Sequence, residues 1–182
     1  ADLFDTSMPK HVREGILFPV FGGVTRQASV LCGLKALKTH GIARVLIHDA
    51  ARPFVSDELL KALLDNLVHC EACLPILPVV DTVKRLKGTE VIETLDRNQI
   101  GLAQTPQGFD FETILNLHQE AAGTADTAFT DDIPIAEHFG GRVETITGDP
   151  ANIKLTTAGD FHKARQALKN REQARSCISQ TG

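Results

Sequence analysis

An aspartate and an arginine lie together directly after a short apolar run in the first half of the sequence. Residues 43–48 have the composition of a strand buried on both faces, and the motif HDAARP (48–53) ends that run. At the carboxyl end of such a strand, Asp49 could hold Mg²⁺ together with phosphate oxygens, and Arg52 offers a planar pair of donors to a phosphate. A surface Asp–Arg pair in a loop is the other interpretation of this motif.

Polar side chains also follow the next apolar run along the chain. Thr82 and Lys84 come just after residues 74–80, and Arg97 lies across a predicted two-stranded arm from them. A hydroxyl, an ammonium and a guanidinium close together could cradle a phosphate. A solvated hairpin would account for the same residues without any ligand.

Two segments in the second half of the sequence could add contacts to an anion. Lys154 stands in the apolar segment 152–156, where an ammonium without a partner is costly, so we expect it to reach an anion. Thr105 lies in the strand-to-turn segment QTPQ (104–107), where its hydroxyl could do the same. With Asp49 as the metal carboxylate among several cations, the charge balance favours transfer of a phosphate or nucleotide group.

A pair of glycines precedes the first long predicted helix. Gly22 and Gly23 open the segment GGVTRQAS (22–29), where exposed backbone could approach a flat ligand closely. The segment fits neither the G-x-G-x-x-G pattern nor a Walker loop, and a helix-capping turn explains it equally well. No Ser-His-Asp order, HExxH motif or paired-carboxylate spacing is apparent elsewhere in the sequence.

Helical and strand patterns alternate along the chain, which predicts an α/β fold with a mostly parallel sheet. In such sheets ligands bind beyond the carboxyl ends of the strands. Prolines within 74–80 predict either an edge strand or an irregular ladder, and Ser56 is expected to cap a helix. The other predicted elements are helices over 25–38, 110–121, 130–140 and from 157 onwards, strands over 142–147 and 153–156, and a β-arm over 82–105.

The composition is that of one globular domain. The chain has 182 residues, of which 42% are apolar and 23% charged. Lys and Arg number 19 against 23 Asp and Glu, so the basic excess typical of nucleic-acid binders is absent. Because no apolar run is long enough to span a bilayer and no secretory signal opens the sequence, we expect a cytoplasmic protein without a membrane partner.

The four cysteines do not indicate a disulfide scaffold. Cys70 and Cys73 form a C-x-x-C pair after His69, which raises the possibility of a metal or redox site. No second pair supplies the remaining ligands of a zinc site, and the pair does not open a helix. Buried free thiols are therefore the expected state.

Seven motifs together resemble those of the 2-C-methyl-D-erythritol 4-phosphate cytidylyltransferase family, which belongs to the non-mevalonate isoprenoid pathway. They occur in order and at fitting intervals, and the resemblance covers residues 16–168. The motifs are GGVTRQASV (22–30), HDAARPF (48–54), PVVDTVKR (78–85), LDRN (95–98), QTPQGF (104–109), TDD (130–132) and DPANIKLTT (149–157).

This resemblance implies a Rossmann-like nucleotidyltransferase fold whose β-arm exchanges contacts across a homodimer. It implies transfer of CMP from CTP to the substrate phosphate with Mg²⁺, releasing pyrophosphate. Asp49 would hold Mg²⁺ and substrate hydroxyls, while Arg97 and Lys154 would position the attacking phosphate. Carried over by motif, the other expected contacts are Arg52, Thr82, Lys84 and Thr105 for the substrate, and Gly22, Gly23, Val24 and Ser29 for the nucleotide.

The sequence departs from the family pattern at two points. Relatives often carry a polar residue at the position of Val24, so a base contact there would use the backbone. The family's glycine-rich phosphate loop with its arginine, and its catalytic lysine, are not found, and the chain begins with Ala1. We therefore expect a cytidylyltransferase domain over 1–170 that is incomplete at its amino end and turns over little by itself. A tail or linker over 171–182 would follow, as in relatives that continue into a cyclodiphosphate synthase domain.

Two other functions are compatible with these motifs. Ribitol 5-phosphate cytidylyltransferases are similar in fold and motifs, although they tend to carry Val where this chain has Ala51. A non-catalytic nucleotide-binding or dimerisation module would explain the arm. Such a module would have no need of Asp49, Arg52, Arg97 and Lys154 in one site.

Overall fold

The computed structural model describes residues 10–123, 131–138, 140, 142–162, 164–166 and 168–169. Residue 130, where the helix expected over 130–140 would begin, and the tail over 171–182 lie outside the described residues. Five helices are α1 (Lys10–Arg13), α2 (Arg26–Leu37), α3 (Asp57–Asn66), α4 (Phe111–Gly123) and α5 (Ile133–His138), with 3₁₀ turns at Lys38–His40 and Arg97–Gln99. Residues 158–162 are also helical, as expected for the helix from 157 onwards. The strands are β1 (Arg44–Ile47), β2 (Ala72–Pro78), β3 (Val83–Lys87), β4 (Glu90–Leu95), β5 (Gly101–Ala103), β6 (Gln107–Asp110) and β7 (Val143–Thr147). None of the helices in these ranges has the length and apolar character needed to cross a membrane.

The predicted α/β fold is confirmed, but the five-stranded main sheet is mixed rather than mostly parallel. β7 pairs with β2 in parallel, whereas β6 is antiparallel to both β1 and β2, and β5 is antiparallel to β2. β1, β2 and β7 therefore share one direction. The reason is that the arm folds back on itself. The chain re-enters the sheet where β2 leaves it, with Gly101 opposite Pro78, and pairs antiparallel without a crossover helix.

β2 lies inside the sheet, so its prolines mark an irregular ladder rather than an edge. Ala72 and Cys73 pair with β6, and residues 76–78 pair with β5. On one side of β2, Pro75 lies between these two paired segments, and on the other side it lies opposite Ile146 of β7. Its carbonyl accepts a hydrogen bond of 2.9 Å from the backbone N–H of Gln104.

Side chains cap three helices, and the expected cap at Ser56 is confirmed. The hydroxyls of Thr25 and Ser56 and the carboxylate of Asp110 each accept a hydrogen bond from the backbone N–H three residues on. These caps begin α2, α3 and α4 at defined residues. Because Thr25 caps α2, Arg26 is the first residue of that helix and directly follows the segment that contains Gly22 and Gly23.

Helices cover both faces of the sheet. Alternate residues of β2 point to opposite faces, so Leu74 packs with α2, α4 and α5, while Cys73 packs with Leu63 of α3. Burial raises the pKa of the Cys73 thiol to about 12, and Cys32, Cys70 and Cys73 are all free. The expected buried free thiol is therefore confirmed at Cys73, and its raised pKa keeps it in the protonated, weakly nucleophilic form.

The hairpin predicted for the arm is present, whereas the strand predicted for the segment that carries Lys154 is not. β3 and β4 form the predicted two-stranded hairpin, with Gly88 in the turn at a φ of 62° that favours glycine. The strand expected over 153–156 is wrong. That segment instead lies along the loop after β1, where the Leu155 N–H donates a 2.8 Å hydrogen bond to the Ala51 carbonyl.

Candidate functional site

A cavity of about 180 Å³ lies beyond the carboxyl end of β1. β1 and β7 run in the same direction, so the loops that follow them meet at this end of the sheet. Four of the expected site residues line the cavity, as the rule for ligand binding beyond strand ends predicts. The lining residues are Arg26, Asp49, Arg52, Ala103, Gln104, Thr105, Gln107, Asp131 and Lys154.

Asp49 lies between two cations. Lys154 Nζ is 2.8 Å from its Oδ2, and Arg26 Nη2 is 3.8 Å from its Oδ1. The carboxylate is largely shielded, with 20% of the side chain exposed. Among the described residues, the anion that Lys154 reaches is thus Asp49, and Lys154 also lines the cavity.

Thr105 fixes the loop that carries Asp49. Its Oγ1 accepts a 3.0 Å hydrogen bond from the Asp49 backbone N–H and lies 3.1 Å from His48 Nδ1. His48 Nε2 lies 2.8 Å from the Arg52 carbonyl, which can only accept, so Nε2 carries the proton and Nδ1 accepts from the hydroxyl. Within the chain, the Thr105 hydroxyl therefore orients Asp49.

Arg52 ties the loop after β1 to the segment that carries Lys154. Its Nη1 donates to the carbonyl of the buried Asn152 at 2.8 Å, and the Asn152 side chain donates to the Thr105 carbonyl at 2.8 Å. Burial lowers the pKa of Arg52, although the charge of Asp49 opposes that shift. The guanidinium faces the cavity while holding its walls together.

The structure adds a group that the sequence interpretation left without a role. Arg26 Nη2 forms a 2.7 Å ion pair with Asp132 Oδ2, and Asp132 Oδ1 lies 3.2 Å from His118 Nε2. Arg26 belongs to the motif GGVTRQASV and Asp132 to TDD, so both signals are present in the sequence. His118 has no local signal, because its importance depends on which residue it meets across the fold.

The glycine segment packs tightly against the start of α2. Ser29 Oγ accepts a 3.1 Å hydrogen bond from the Gly23 backbone N–H. A Cβ on Gly22 would lie 2.6 Å from Ser29 Oγ, and one on Gly23 would overlap Ala28 Cβ. Val24 is fully exposed. These contacts match the helix-capping interpretation, and contact of the segment with a nucleotide stays a prediction.

The structure does not bring Thr82, Lys84 and Arg97 of the predicted arm to this cavity. Lys84 Nζ donates to Thr94 Oγ1 within the hairpin, and Thr82 is exposed. Arg97 donates to the Val80 carbonyl and lines a separate open cavity of about 730 Å³ at the base of the arm. No residue of the β3–β4 hairpin is among those that line the cavity around Asp49.

The carboxylates at this cavity fit a divalent ion that arrives with a phosphate ligand. Asp49 and Asp131 both line it, and the described residues contain no group of three or more metal-ligating side chains that could hold an ion by themselves. Mg²⁺ commonly takes one or two carboxylates plus substrate phosphates and waters. Asp49 suits that mode of binding if Lys154 shifts to the phosphate.

The sequence model of one family, IspD: 2-C-methyl-D-erythritol 4-phosphate cytidylyltransferase, matches residues 9–170. The chain is 50% identical over 151 residues to a bifunctional enzyme IspD/IspF of Bradyrhizobium diazoefficiens, covering 82% of this chain and 38% of that protein. It is 47% identical over 154 residues to the enzyme of the same name from Bartonella tribocorum, covering 85% and 39%. The chain thus spans about two fifths of the length of these relatives.

A crystal structure shares the fold. It is that of 4-diphosphocytidyl-2C-methyl-D-erythritol synthase from Anaerococcus prevotii, which superposes with a TM-score of 0.80 at 32% identity. The match covers 92% of this chain and 78% of that one. Similarity in both sequence and fold therefore extends over most of the chain.

Proposed function

Because this chain belongs to the 2-C-methyl-D-erythritol 4-phosphate cytidylyltransferase family, we propose that it transfers CMP from CTP to 2-C-methyl-D-erythritol 4-phosphate. The products are 4-diphosphocytidyl-2-C-methyl-D-erythritol, for isoprenoid precursor synthesis, and pyrophosphate. The observation that carries the proposal is the placement of Asp49 between Lys154 and Arg26 at one cavity. We assign residues 1–170 to this domain and its reaction to the cytoplasm, where nucleoside triphosphates are made.

The proposed reaction is a displacement at phosphorus. An oxygen of the substrate phosphate attacks the α-phosphorus of CTP, and the bond from that phosphorus to the oxygen bridging to the β-phosphate breaks. The electron pair leaves with pyrophosphate, and no covalent intermediate with the protein forms. Two anions must approach each other, so the main task of the protein is to position them and to offset their repulsion.

The cations at the cavity suit that task. Lys154, Arg26 and Arg52 line its walls, and each is held by contacts within the chain. Fixed cations stabilise negative charge on transferring phosphates without reorganising during the reaction. We assign Lys154 to the reacting phosphates and Arg52 and Thr105 to the substrate. Asp49 would hold Mg²⁺, whose chemistry is to neutralise charge on the triphosphate.

A second copy of the chain is proposed to complete the site through the arm. Leu86, Val91 and Ile92 of the hairpin are each at least half exposed, and a lone two-stranded sheet is marginally stable in water. Since Arg97 lines a different cavity from Asp49, we propose that Thr82, Lys84 and Arg97 act on the cavity of the other copy.

Mixing variants tests this arrangement. An Arg97→Ala chain and a Lys154→Ala chain should each be inactive alone, and mixed dimers should regain part of the activity because one of their two sites has both residues. No recovery after mixing, in protein shown to be dimeric by light scattering, would contradict the exchange of arms.

Pyrophosphate release from CTP and Mg²⁺ tests the reaction. One arm of the assay contains methylerythritol phosphate, the second ribitol 5-phosphate, and the third no acceptor. Release with methylerythritol phosphate alone is expected, whereas release with ribitol 5-phosphate alone would assign the other substrate. If the chain is silent, the assay is repeated with a relative's amino-terminal segment supplying the glycine-rich loop. Silence of that form as well would overturn the proposal. The form that releases pyrophosphate is called the active form below.

A further inference from the structure

Arg26, which is not among the site residues expected from the sequence, reaches the cavity from the first turn of α2. About a third of its side chain is exposed, and both of its ion pairs within the described residues, with Asp132 and Asp49, use Nη2. A guanidinium has five N–H donors in a planar fork. The donors on Nε and Nη1 are thus available to an anion in the cavity.

The carboxylate that holds Arg26 is completely buried. Asp132 has no exposed surface, and a buried carboxylate is costly unless its oxygens are compensated. Burial by itself would raise the pKa of Asp132, but hydrogen bonds from His118 and Arg26 outweigh it and hold the pKa below its ordinary value. The Asp132 backbone N–H donates to Gln107 Oε1 at 3.2 Å, which fixes the residue from a third side.

His118 directs this carboxylate from α4. It is also fully buried, its Nε2 lies 3.2 Å from Asp132 Oδ1, and its Nδ1 has no partner among the described residues. The Asp132 carboxylate can only accept, so Nε2 donates to it. This hydrogen bond orients the Asp132 carboxylate from the side opposite Arg26.

Together these contacts link His118 on α4 to Arg26 at the cavity through Asp132, and each contact fixes the orientation of the next side chain. We infer that Arg26 binds a phosphate group of a substrate at this site, and that His118, acting through Asp132, positions it. Asp49 and Asp131 also line the cavity and offset two of its three cationic charges, so the attraction depends on the directed donors of the fork as well as on net charge. The inference rests on the proposed function for the identity of the substrates.

Binding of inorganic pyrophosphate with Mg²⁺ tests the phosphate contact without requiring catalysis. Calorimetry compares the unaltered chain with Arg26→Gln and with the control Arg142→Gln. Arg142 is likewise paired with a carboxylate, Glu144 at 2.6 Å, but its side chain is 84% exposed. We expect Arg26→Gln to weaken binding about tenfold, the effect of about 1.4 kcal/mol, and Arg142→Gln to leave it unchanged. Equal affinity of Arg26→Gln and the unaltered chain, or no binding by the unaltered chain, would overturn the inference.

Kinetics of the active form show which substrate supplies the phosphate and test the role of His118. Arg26→Gln should raise the KM for CTP if it binds the triphosphate, or the KM for methylerythritol phosphate if it binds that group, with kcat changed only a few-fold. His118→Leu should raise the same KM, and His118→Gln, which keeps an N–H donor near Nε2, should restore it. Loss of stability in His118→Leu with KM unchanged would limit His118 to a structural role and contradict positioning. If no form releases pyrophosphate, the proposed function fails, while the calorimetry still decides the phosphate contact.

Discussion

Lys154 Nζ lies 2.8 Å from Asp49 Oδ2, joining the segment after β7 to the loop after β1. The two residues come from opposite parts of the sequence and carry the two charges that the proposed transfer needs most. In this arrangement the carboxylate holds the ammonium at the cavity. In the proposed reaction Asp49 would hold the divalent ion and Lys154 would bind a phosphate, so we propose that the pair links metal binding to phosphate binding.

Removing either partner should impair the active form. We expect Asp49→Asn and Lys154→Gln each to lower the rate of pyrophosphate release by about 10²–10³-fold, because each removes a fixed charge at the reacting phosphates. The double variant should be little slower than the slower single variant, since residues in contact are not independent. Lys61→Gln is a matched control, because Lys61 forms an exposed ion pair with Asp65 on α3. Fully multiplicative losses would contradict the coupling.

The hydroxyl of Thr105 should contribute more to stability and activity than its methyl group does. Thr105→Val would leave the Asp49 N–H and His48 Nδ1 without the partner they share, inside a largely buried position. We expect a loss of about 1–3 kcal/mol in the free energy of unfolding, measured in urea, and a slower active form. Thr105→Ser keeps the hydroxyl and should retain most of the free energy of unfolding and most of the rate of the active form. Equal effects of the two substitutions would show that the hydroxyl does not orient Asp49.

Substituting alanine for two glycines near α2 should have different effects, impairing nucleotide binding at Gly23 and raising stability at Gly33. Gly23→Ala would place a methyl group against Ala28 Cβ and its backbone, forcing the segment away from the helix, so the KM for CTP should rise. Gly33 lies within α2 with open space around a Cβ, so Gly33→Ala should raise the free energy of unfolding by about 0.5–1 kcal/mol. An unchanged KM in Gly23→Ala would separate this segment from nucleotide binding.

Asp160 should titrate unusually low. It accepts hydrogen bonds from the backbone N–H groups and hydroxyls of Thr156 and Thr157, which lower its pKa to about 2 from an ordinary value of 3.8. Because the folded pKa lies below the unfolded one, the stabilisation is present above pH 3.8 and is lost as the pH falls toward 2. Carboxyl NMR titration should show a midpoint near 2.

Removing one of the side-chain hydroxyls that donate to Asp160 provides the control for that titration. Thr157→Val deletes one hydroxyl that donates to Asp160 at 2.9 Å and should raise the midpoint, whereas the backbone donors remain. A midpoint at the ordinary value in the unaltered protein would mean that these bonds do not form in solution. The segment that carries Lys154 would then be less firmly held at its carboxyl end.

Local features could be predicted from the sequence because they depend on neighbouring residues. Thr25, Ser56 and Asp110 cap helices through contacts three residues away, and the hairpin turn at Gly88 needs only local backbone geometry. The motif around Asp49 likewise follows its strand directly. Its position beyond the strand end, and hence its place at a cavity, follows from the alternation of strands and helices.

Tertiary structure alone decided the directions of β5 and β6, the interior position of β2 and the convergence of Arg26, Asp132 and His118. It also separated Arg97 from Asp49, although their motifs both indicate phosphate binding. Strand direction depends on where a distant segment re-enters the sheet, and the value of a buried donor such as His118 depends on the group opposite it. The sequence by itself determined which residues could carry charge and hydrogen bonds, whereas long-range packing determined which of them meet, because burial and pairing energies belong to contacts between distant segments.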